Sequence, residues 1–307
     1  MKVTFGFVNC NRLHYLRSCL ESLLHCTQEY ENKEIIIVDN ASIESGTDDY
    51  LLELQNRGFK VFKSEQRDPA NEYAKALNTI VENATGEIIC PLPADTQFVL
   101  SSGWLTEYVN VLSHNIDNIG CIGFDAQRKV RNKNHRFSEP VGNLYKFVAV
   151  HDKNPIMGAA NAMFSRKILD MMYPWEENNS SHEGGQDSET KMLMKVKNFI
   201  REKNLNLINV APIIPPSIGI YNEDGDNARV RGTKRYGKYI PPQEQYKYYK
   251  IRDYKEMLEL ANNNTPLSIE DMAQSTGWKL PVDESGNWIK NPMKIENATE
   301  EDYEEIK

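Results

Sequence analysis

The sequence predicts an α/β protein built on a doubly wound, mostly parallel sheet, with a small helical C-terminal appendage. Three observations carry this reading. Short aliphatic runs alternate with stretches of helical periodicity from residue 3 to about residue 214. The run Ile35-Ile-Ile-Val38 is apolar at every position, as in a parallel strand covered on both faces. Polar residues follow the strands at Asn9–Arg12, Asp39–Ser42 and Ala94–Thr96, at the carboxyl ends where open α/β sheets bind ligands.

Val3 to Val8 reads as the first strand, and Asn9-Cys-Asn-Arg12 as a polar turn after it. Leu13, Leu16, Leu20, Leu23 and Leu24 recur at helical spacing, so the turn lies beside a helix N-terminus that can meet an anion. The turn has no glycine, which excludes a dinucleotide-binding loop there. Glu34 to Asp39 is the second strand, and its terminal carboxylate either accepts from a base N–H or ribose hydroxyl or caps a helix over Thr47 to Gln55. Gly58 to Phe62 is a short third strand, and Ala70 to Asn83 a helix with Ala74, Leu77 and Val81 on one face.

The stretch Gly86-Glu-Ile-Ile-Cys-Pro-Leu-Pro-Ala-Asp-Thr96 holds a fourth strand, Glu87 to Leu92, stopped by Pro91, Pro93 and the polar residues beyond. It leaves Asp95 at the strand's carboxyl end, where it suits a hard divalent cation shared with substrate phosphates, or caps the segment Thr96 to Leu100. A helix over Trp104 to Leu112 and a strand over Ile119 to Phe124 follow.

Asp125 to Glu139 is basic and nearly free of apolar residues, and reads as a solvated loop or an arm for an acidic or phosphate-bearing acceptor. Val141 to Val150 alternates as an antiparallel strand does. The small residues Gly158-Ala-Ala-Asn161 allow close backbone approach, and Ser165 to Met172 reads as a short helix. After the polar stretch Glu176 to Gly185, Gln186-Asp187 opens a helix to about Lys203; a first-turn carboxylate is also favoured by the helix dipole alone. Asn206 to Ile214 is a strand ended by Pro215 and Pro216. Arg229, Arg231, Lys234 and Arg235 lie in a glycine-punctuated stretch that suits a diphosphate. Gln243 to Asn262 reads as helical, ahead of an acidic, loosely ordered tail.

At 307 residues, with 40% hydrophobic and 26% charged residues, the chain has the make-up of a globular protein of one large or two smaller domains. A net charge of −8 argues against general nucleic-acid binding. The 5 cysteines lack CxxC spacing, which argues against zinc and for reduced, buried thiols, hence a cytoplasmic location. No apolar run reaches the roughly 18 residues of a membrane span, and Met1–Thr4 already reads as strand rather than signal peptide.

Taken in order, these pieces resemble the inverting GT-A-fold glycosyltransferases of family 2, a Rossmann-like fold, over about Lys2 to Tyr236. Phe7-Val-Asn-Cys-Asn-Arg12 looks like that family's opening nucleotide contact, and Ile35-Ile-Ile-Val-Asp-Asn-Ala-Ser42 like its second strand with the nucleoside aspartate, here Asp39. Tyr73-Ala-Lys-Ala-Leu-Asn78 and Ala84-Thr-Gly-Glu-Ile-Ile89 are similar to the helix and strand before the metal motif, and Pro93-Ala-Asp95 sits where the family carries Asp-x-Asp or Asn-Pro-Asp. Gly158-Ala-Ala and Gln186-Asp187 resemble the acceptor-side glycine motif and the Glu-Asp pair holding the base. The chain departs from the pattern at Glu72, Pro93 and Gln186, and no histidine follows His182 to join a metal.

The resemblance implies a GT-A domain over 1–238, with a donor half over about 1–124 and an acceptor half over about 141–238, and an extension over 239–307. It implies transfer of a sugar from a nucleotide diphosphate sugar, with uridine the expected base, to a hydroxyl on a glycan, lipid-linked or protein acceptor, with inversion. A lipid-linked acceptor would make the protein peripheral to a membrane. Asp187 would be the general base. Asn9, Asn11, Arg12, Asp39, Asn78, Ala94 and Asp95 would bind the nucleotide, and Asp95 would hold Mn²⁺ or Mg²⁺. Arg229, Arg231, Lys234 and Arg235 would face the diphosphate, and Trp104, Gly158, Ala159 and Gln186 the acceptor. The rival readings are a degenerate GT-A protein that binds sugar, nucleotide or a partner without turnover, and a nucleotidyltransferase, which the absence of a Gly-rich loop with lysine at Asn9–Arg12 disfavours.

Overall fold

The computed structural model describes residues 1–11, 13–68, 70–124, 135–149, 160–177, 188–212, 214–219 and 251–263. The strands are β1 (Val3–Asn9), β2 (Lys33–Asp39), β3 (Lys60–Lys63), β4 (Ile88–Pro93), β5 (Thr96–Phe98), β6 (Leu100–Ser101), β7 (Ile119–Gly123), β8 (His135–Val141), β9 (Leu144–Ala149), β10 (Ala162–Ser165), β11 (Ile208–Ala211), β12 (Ser217–Gly219) and β13 (Arg252–Asp253). The helices are α1 (Leu13–Cys26), α2 (Thr47–Asn56), α3 (Glu72–Asn83), α4 (Trp104–His114), α5 (Arg166–Met172), α6 (Ser188–Glu202) and α7 (Tyr254–Asn263).

Nine strands form one sheet in the order β3-β2-β1-β4-β10-β7-β11-β9-β8. The β3-β2-β1-β4 half is parallel throughout. The chain winds from β1 outward to β3, then crosses back to β4 on the other side of β1, which sets a switch point between β1 and β4. Helix α3 makes that return crossing. Its Ile80 lies directly on β1, where a Cβ on Gly6 would come within 2.3 Å of Ile80 Cγ2, so this close approach requires glycine. Phe5 and Phe7, on the opposite face by the two-residue pleat, are fully buried as well, so β1 is covered on both sides. The leucine stripe of α1 (Leu13, Leu16, Leu20, Leu23) is buried as its spacing required.

The far half of the sheet is mixed and departs from the sequence reading. Residues 162–165 form β10, expected as an apolar pair before a helix, and this strand runs antiparallel between β4 and β7. Ser165 then caps α5 by accepting from the Ile168 amide. His135–Glu139, expected in the basic loop, belongs to β8, which pairs with β9 across a two-residue turn opened by Gly142 at φ 65. Residues 125–134 of that loop lie outside the described residues.

Pro91 lies inside β4, and the strand stops at Pro93. Antiparallel pairing with β10 is confined to Ile88 and Ile89. The missing proline N–H therefore falls where that ladder has stopped, and the Pro91 carbonyl accepts from Asn161 instead. Thr96 to Leu100 is extended (β5, β6) and not a helix needing an Asp95 cap. Two short strands flank it: β12 is antiparallel to β5, and β13 is parallel to β6. Helix α7 follows β13, and its Tyr254 and Met257 are buried in the main core. Residues 243–250 of the expected appendage lie outside the described residues.

The amino ends of the parallel strands converge on Glu34. Its carboxylate accepts from Thr4 Oγ1 (2.6 Å), the Thr85 amide (2.5 Å), the Gly86 amide (3.1 Å), Thr85 Oγ1 (2.9 Å) and Lys60 Nζ (3.1 Å). Burial alone would push this carboxyl up, but the bonds from Thr4, Thr85 and Lys60 outweigh it and bring its pKa down to about 2. A folded-state value below the unfolded one stabilises the fold above the ordinary carboxylate range, and the gain is lost as pH falls from about 4.5 toward about 2. Glu34→Gln should therefore cost about 2–3 kcal/mol in urea unfolding near pH 7, and its gap from the wild type should roughly halve by about pH 3. A gap independent of pH would mean that the Glu34 charge contributes nothing.

Candidate active site at the β1–β2–β4 edge

Parallel register puts three strand ends in line: Asn9 is opposite Asp39, and Val8 is opposite Pro93, two residues before Asp95. The first two are joined by a network with Asp39 at its centre. Asp39 is fully buried; its Oδ1 accepts from the Ser42 amide (2.8 Å), and its Oδ2 accepts from Ser42 Oγ (2.5 Å) and Asn9 Nδ2 (2.8 Å). Asp39 thus closes its own turn three residues on, and the helix cap considered from sequence is not what it makes; α2 begins after Gly46 with no side-chain cap.

The turn after β1 is locked to the turn after β2. The Asn11 amide donates to Ser42 Oγ (2.6 Å), and Asn11 Oδ1 accepts from the Ile43 and Glu44 amides (2.9 and 3.3 Å). Asn11 and Ala41 both take left-handed conformations (φ 52 and 51), which the cross-turn bonds hold in place. Glu44 Oε2 accepts from the Leu13 amide (2.8 Å), so the chain's own carboxylate sits at the α1 N-terminus that sequence offered to an external anion. Ser42 and Glu44 were not singled out as site residues. The Asp-x-x-Ser spacing marks the first, and only the fold pairs the second with α1. Asn9, Asn11 and Asp39 all have little exposed surface, so a nucleoside touching them requires the covering chain to shift.

Asp95 lies half-buried on the bend between β4 and β5, beside the buried Ala94. Below the bend, Cys19 of α1 points its thiol at Thr96 Oγ1 (3.3 Å) and the Pro93 carbonyl (3.9 Å). Burial, with the Asp95 charge adding to it, pushes the Cys19 thiol up to about 12, so it is protonated at neutral pH. Among the described residues no group of three His, Cys, Asp or Glu side chains could hold a metal. The donor set fits a hard cation only as one carboxylate with further oxygens from a bound diphosphate. All five cysteines are thiols, and all but Cys10 are buried.

Asn161, last of the small-residue stretch, joins the ends of β4 and β7. At φ 56, its amide donates to the Pro91 carbonyl (2.7 Å), its carbonyl accepts from Phe124 (3.1 Å), and its Oδ1 accepts from Ser217 Oγ (3.4 Å).

Two expected site residues are placed elsewhere. Trp104 is fully buried among Phe98, Tyr108 and Phe124, with its indole N–H on the Cys26 carbonyl (3.0 Å); it is core, not acceptor surface. The Asn78 amide bonds the Trp175 backbone in both directions and not the nucleotide edge. Arg12, Gly158, Ala159, Gln186, Asp187, Arg229, Arg231, Lys234 and Arg235 lie outside the described residues. Among the described residues no helix is long and apolar enough to cross a membrane.

Among solved structures, the chain is similar to S. aureus TarS at 14% identity and a TM-score of 0.45, covering 69% of this chain and 36% of that one. It is also similar to the mannosyltransferase PcManGT from Pyrobaculum calidifontis in complex with GDP-Man and Mn²⁺, at 18% identity and a TM-score of 0.45, covering 68% and 56%. The uncharacterized protein y4gI of Sinorhizobium fredii (strain NBRC 101917 / NGR234) is 31% identical over 113 residues, which are 37% of this chain and 12% of that one. The pattern of glycosyl transferase family 2 matches residues 6–172, more than half of the sequence, from β1 through α5 and across the whole edge that holds Asn9, Asp39 and Asp95, so the chain belongs to that family.

Proposed function

We propose that the protein transfers a sugar from a nucleotide diphosphate sugar, with uridine the expected base, to a hydroxyl acceptor, with inversion at the anomeric carbon. The observation that carries this reading is the alignment of Asn9, Asp39 and Asp95 on one edge at the β1–β4 switch point, within a family 2 chain. Asn9, Asn11 and Asp39 bind the nucleoside. Among the described residues Asp39 Oδ1 accepts one bond, where a carboxylate oxygen has room for two.

Asp95 holds the cation, Mn²⁺ or Mg²⁺, which when bound neutralises charge on the departing diphosphate. Arg229, Arg231, Lys234 and Arg235 add cationic donors to that diphosphate. Support comes from the chain's ends around them: it departs at Gly219, paired with Thr96 next to Asp95, and returns at Arg252, paired with Leu100. Asp187 takes the acceptor proton as the hydroxyl attacks opposite the leaving diphosphate. Gly158, Ala159 and Gln186 belong to the acceptor side.

Hydrolysis of UDP-GlcNAc and GDP-mannose, with and without Mn²⁺, is the first test. Turnover of neither, with nucleotide still bound, would favour a binding protein that has lost catalysis. Asp39→Ala should weaken UDP binding by about 1–3 kcal/mol in calorimetry and also lower the melting temperature, because Asn9 and Ser42 lose a buried acceptor. Lowered stability with unchanged affinity would leave Asp39 as an organiser of the turns alone.

Metal should enter with the nucleotide. Mn²⁺ titrated into the protein alone should bind weakly, and much more tightly once UDP is present, because one carboxylate leaves most of the roughly six oxygen positions to other ligands. Tight binding without nucleotide would overturn the assignment to Asp95. Asp187→Asn should lower turnover about 10²–10⁴-fold while melting temperature and UDP affinity stay as in the wild type. Retention of most activity on the true acceptor would reduce Asp187 to a helix-dipole partner.

A further inference from the structure

One face of α3 and one run of extended chain after α5 match residue for residue. Lys75, Asn78 and Glu82 are three and four positions apart and so share a helix face. Tyr173, Trp175 and Glu177 lie on the chain that leaves α5. The two sets meet in antiparallel order. Tyr173 OH donates to Glu82 Oε1 (2.6 Å), the Trp175 amide donates to Asn78 Oδ1 (2.7 Å), Asn78 Nδ2 donates to the Trp175 carbonyl (3.0 Å), and Lys75 Nζ lies 3.9 Å from Glu177 Oε2.

The outer two contacts are exposed and contribute little. The Asn78 pair is different. It uses both ends of one amide on one peptide unit, and the Trp175 side chain it fixes is buried. From the other side, Lys195 of α6 reaches back to the carbonyls of Met172, Tyr173 and Pro174 (3.4, 3.2 and 3.4 Å). The chain that connects α5 to α6 is thus held at its start by α3 and by α6 itself. Helix α3 in turn is packed on β1 through Ile80 and Gly6, under the nucleotide edge.

We propose that Asn78 is a positioning residue: by clamping Trp175 to α3, it fixes the chain leaving α5, and with it the start of α6, relative to the β1–β2–β4 edge. The catalytic part of this proposal rests on the glycosyltransferase reading; the mechanical part does not. It also reassigns Asn78, whose amide is committed to the backbone and not to a nucleotide.

The test compares Asn78→Ala with Asn78→Asp, which keeps an acceptor for the Trp175 amide, and with Lys195→Met, which loosens the second fastening. Hydrogen exchange of the intact protein should show the Trp175 amide and the first turn of α6 losing protection about tenfold or more in Asn78→Ala, and much less in Asn78→Asp. UDP affinity and melting temperature should change little, while turnover of UDP-GlcNAc or GDP-mannose falls about tenfold to a hundredfold at unchanged donor KM. Asn78→Asp should recover part of that loss, and Lys195→Met should reproduce it. Weakened UDP binding with the Trp175 amide still protected would make Asn78 a nucleotide contact and overturn the proposal. So would a deprotected Trp175 amide with the α6 turn and turnover both unaffected. If the wild type turns over neither donor, the functional reading fails, and exchange at the α6 turn still decides whether Asn78 positions it.

Discussion

A carboxylate removed from water must find its compensation in hydrogen bonds, and this requirement at Asp39 organises the carboxyl ends of β1 and β2. Its two oxygens take every donor within reach of the turn: the Ser42 amide, the Ser42 hydroxyl and the Asn9 amide group. Satisfying Asp39 forces Ser42 into a fixed place. Ser42 then fixes Asn11, and Asn11 fixes the amides of Ile43 and Glu44. The two loops are consequently one rigid unit, with their left-handed residues stabilised by cross-turn bonds and not by glycine. Strand β2 carries the same device at its other end, where Glu34 gathers Thr4, Lys60, Thr85 and Gly86. The four-residue aliphatic run Ile35–Val38 is thus pinned at both ends by acidic groups, and the parallel register between them has no freedom to slip.

The site's second support is the segment after Asp95. An extended Thr96–Ser101 gives no helix dipole to the carboxylate, so its placement depends on neighbours. Cys19 and Thr96 hold the bend from below. Ser217–Gly219 and Arg252–Asp253 pair along it on either side. These flanking strands tie the later chain to the bend at Asp95, and Asn161 adds a link from β4 to β7 and to Ser217. Parts of the sequence 60 to 150 residues away thereby converge on one bend, although the nine-stranded sheet alone would leave it exposed at an edge.

The parallel half was legible in the sequence because its signals are local. The four-aliphatic run of β2, the leucine spacing of α1 and the polar residue after each strand need no knowledge of partners, and each element lies where those signals put it. The misreadings share one cause, which is that the deciding contact is distant in sequence. Residues 162–165 are a strand because β4 and β7 each offer an edge to them. Pro91 fits inside β4 because the ladder with β10 is confined to Ile88 and Ile89. Trp104 follows a short polar loop, as a binding residue often does, but a carbonyl of α1 and three rings enclose it. Asn78 lies in a motif that resembles a nucleotide contact, and its partner is almost a hundred residues on.

A site with one metal carboxylate depends more on placement than a site with two, because no second ligand corrects an error in the first. Pro93 occupies the position from which a second carboxylate would come, and it is paired into β4 opposite Val8. That pairing offers a physical gain in exchange for the lost ligand: proline fixes its own φ and continues the strand to the last residue before the bend. The Asp95 backbone therefore leaves a strand that is stiff up to its end, and enters β5, which is paired to β12 from its first residue. Two rigid strands meeting over Ala94 and Asp95 leave little backbone entropy to lose when a ligand is bound. On the proposed reading, the chain thus trades a charge that would attract a cation unaided for a fixed geometry that favours a cation arriving with its diphosphate.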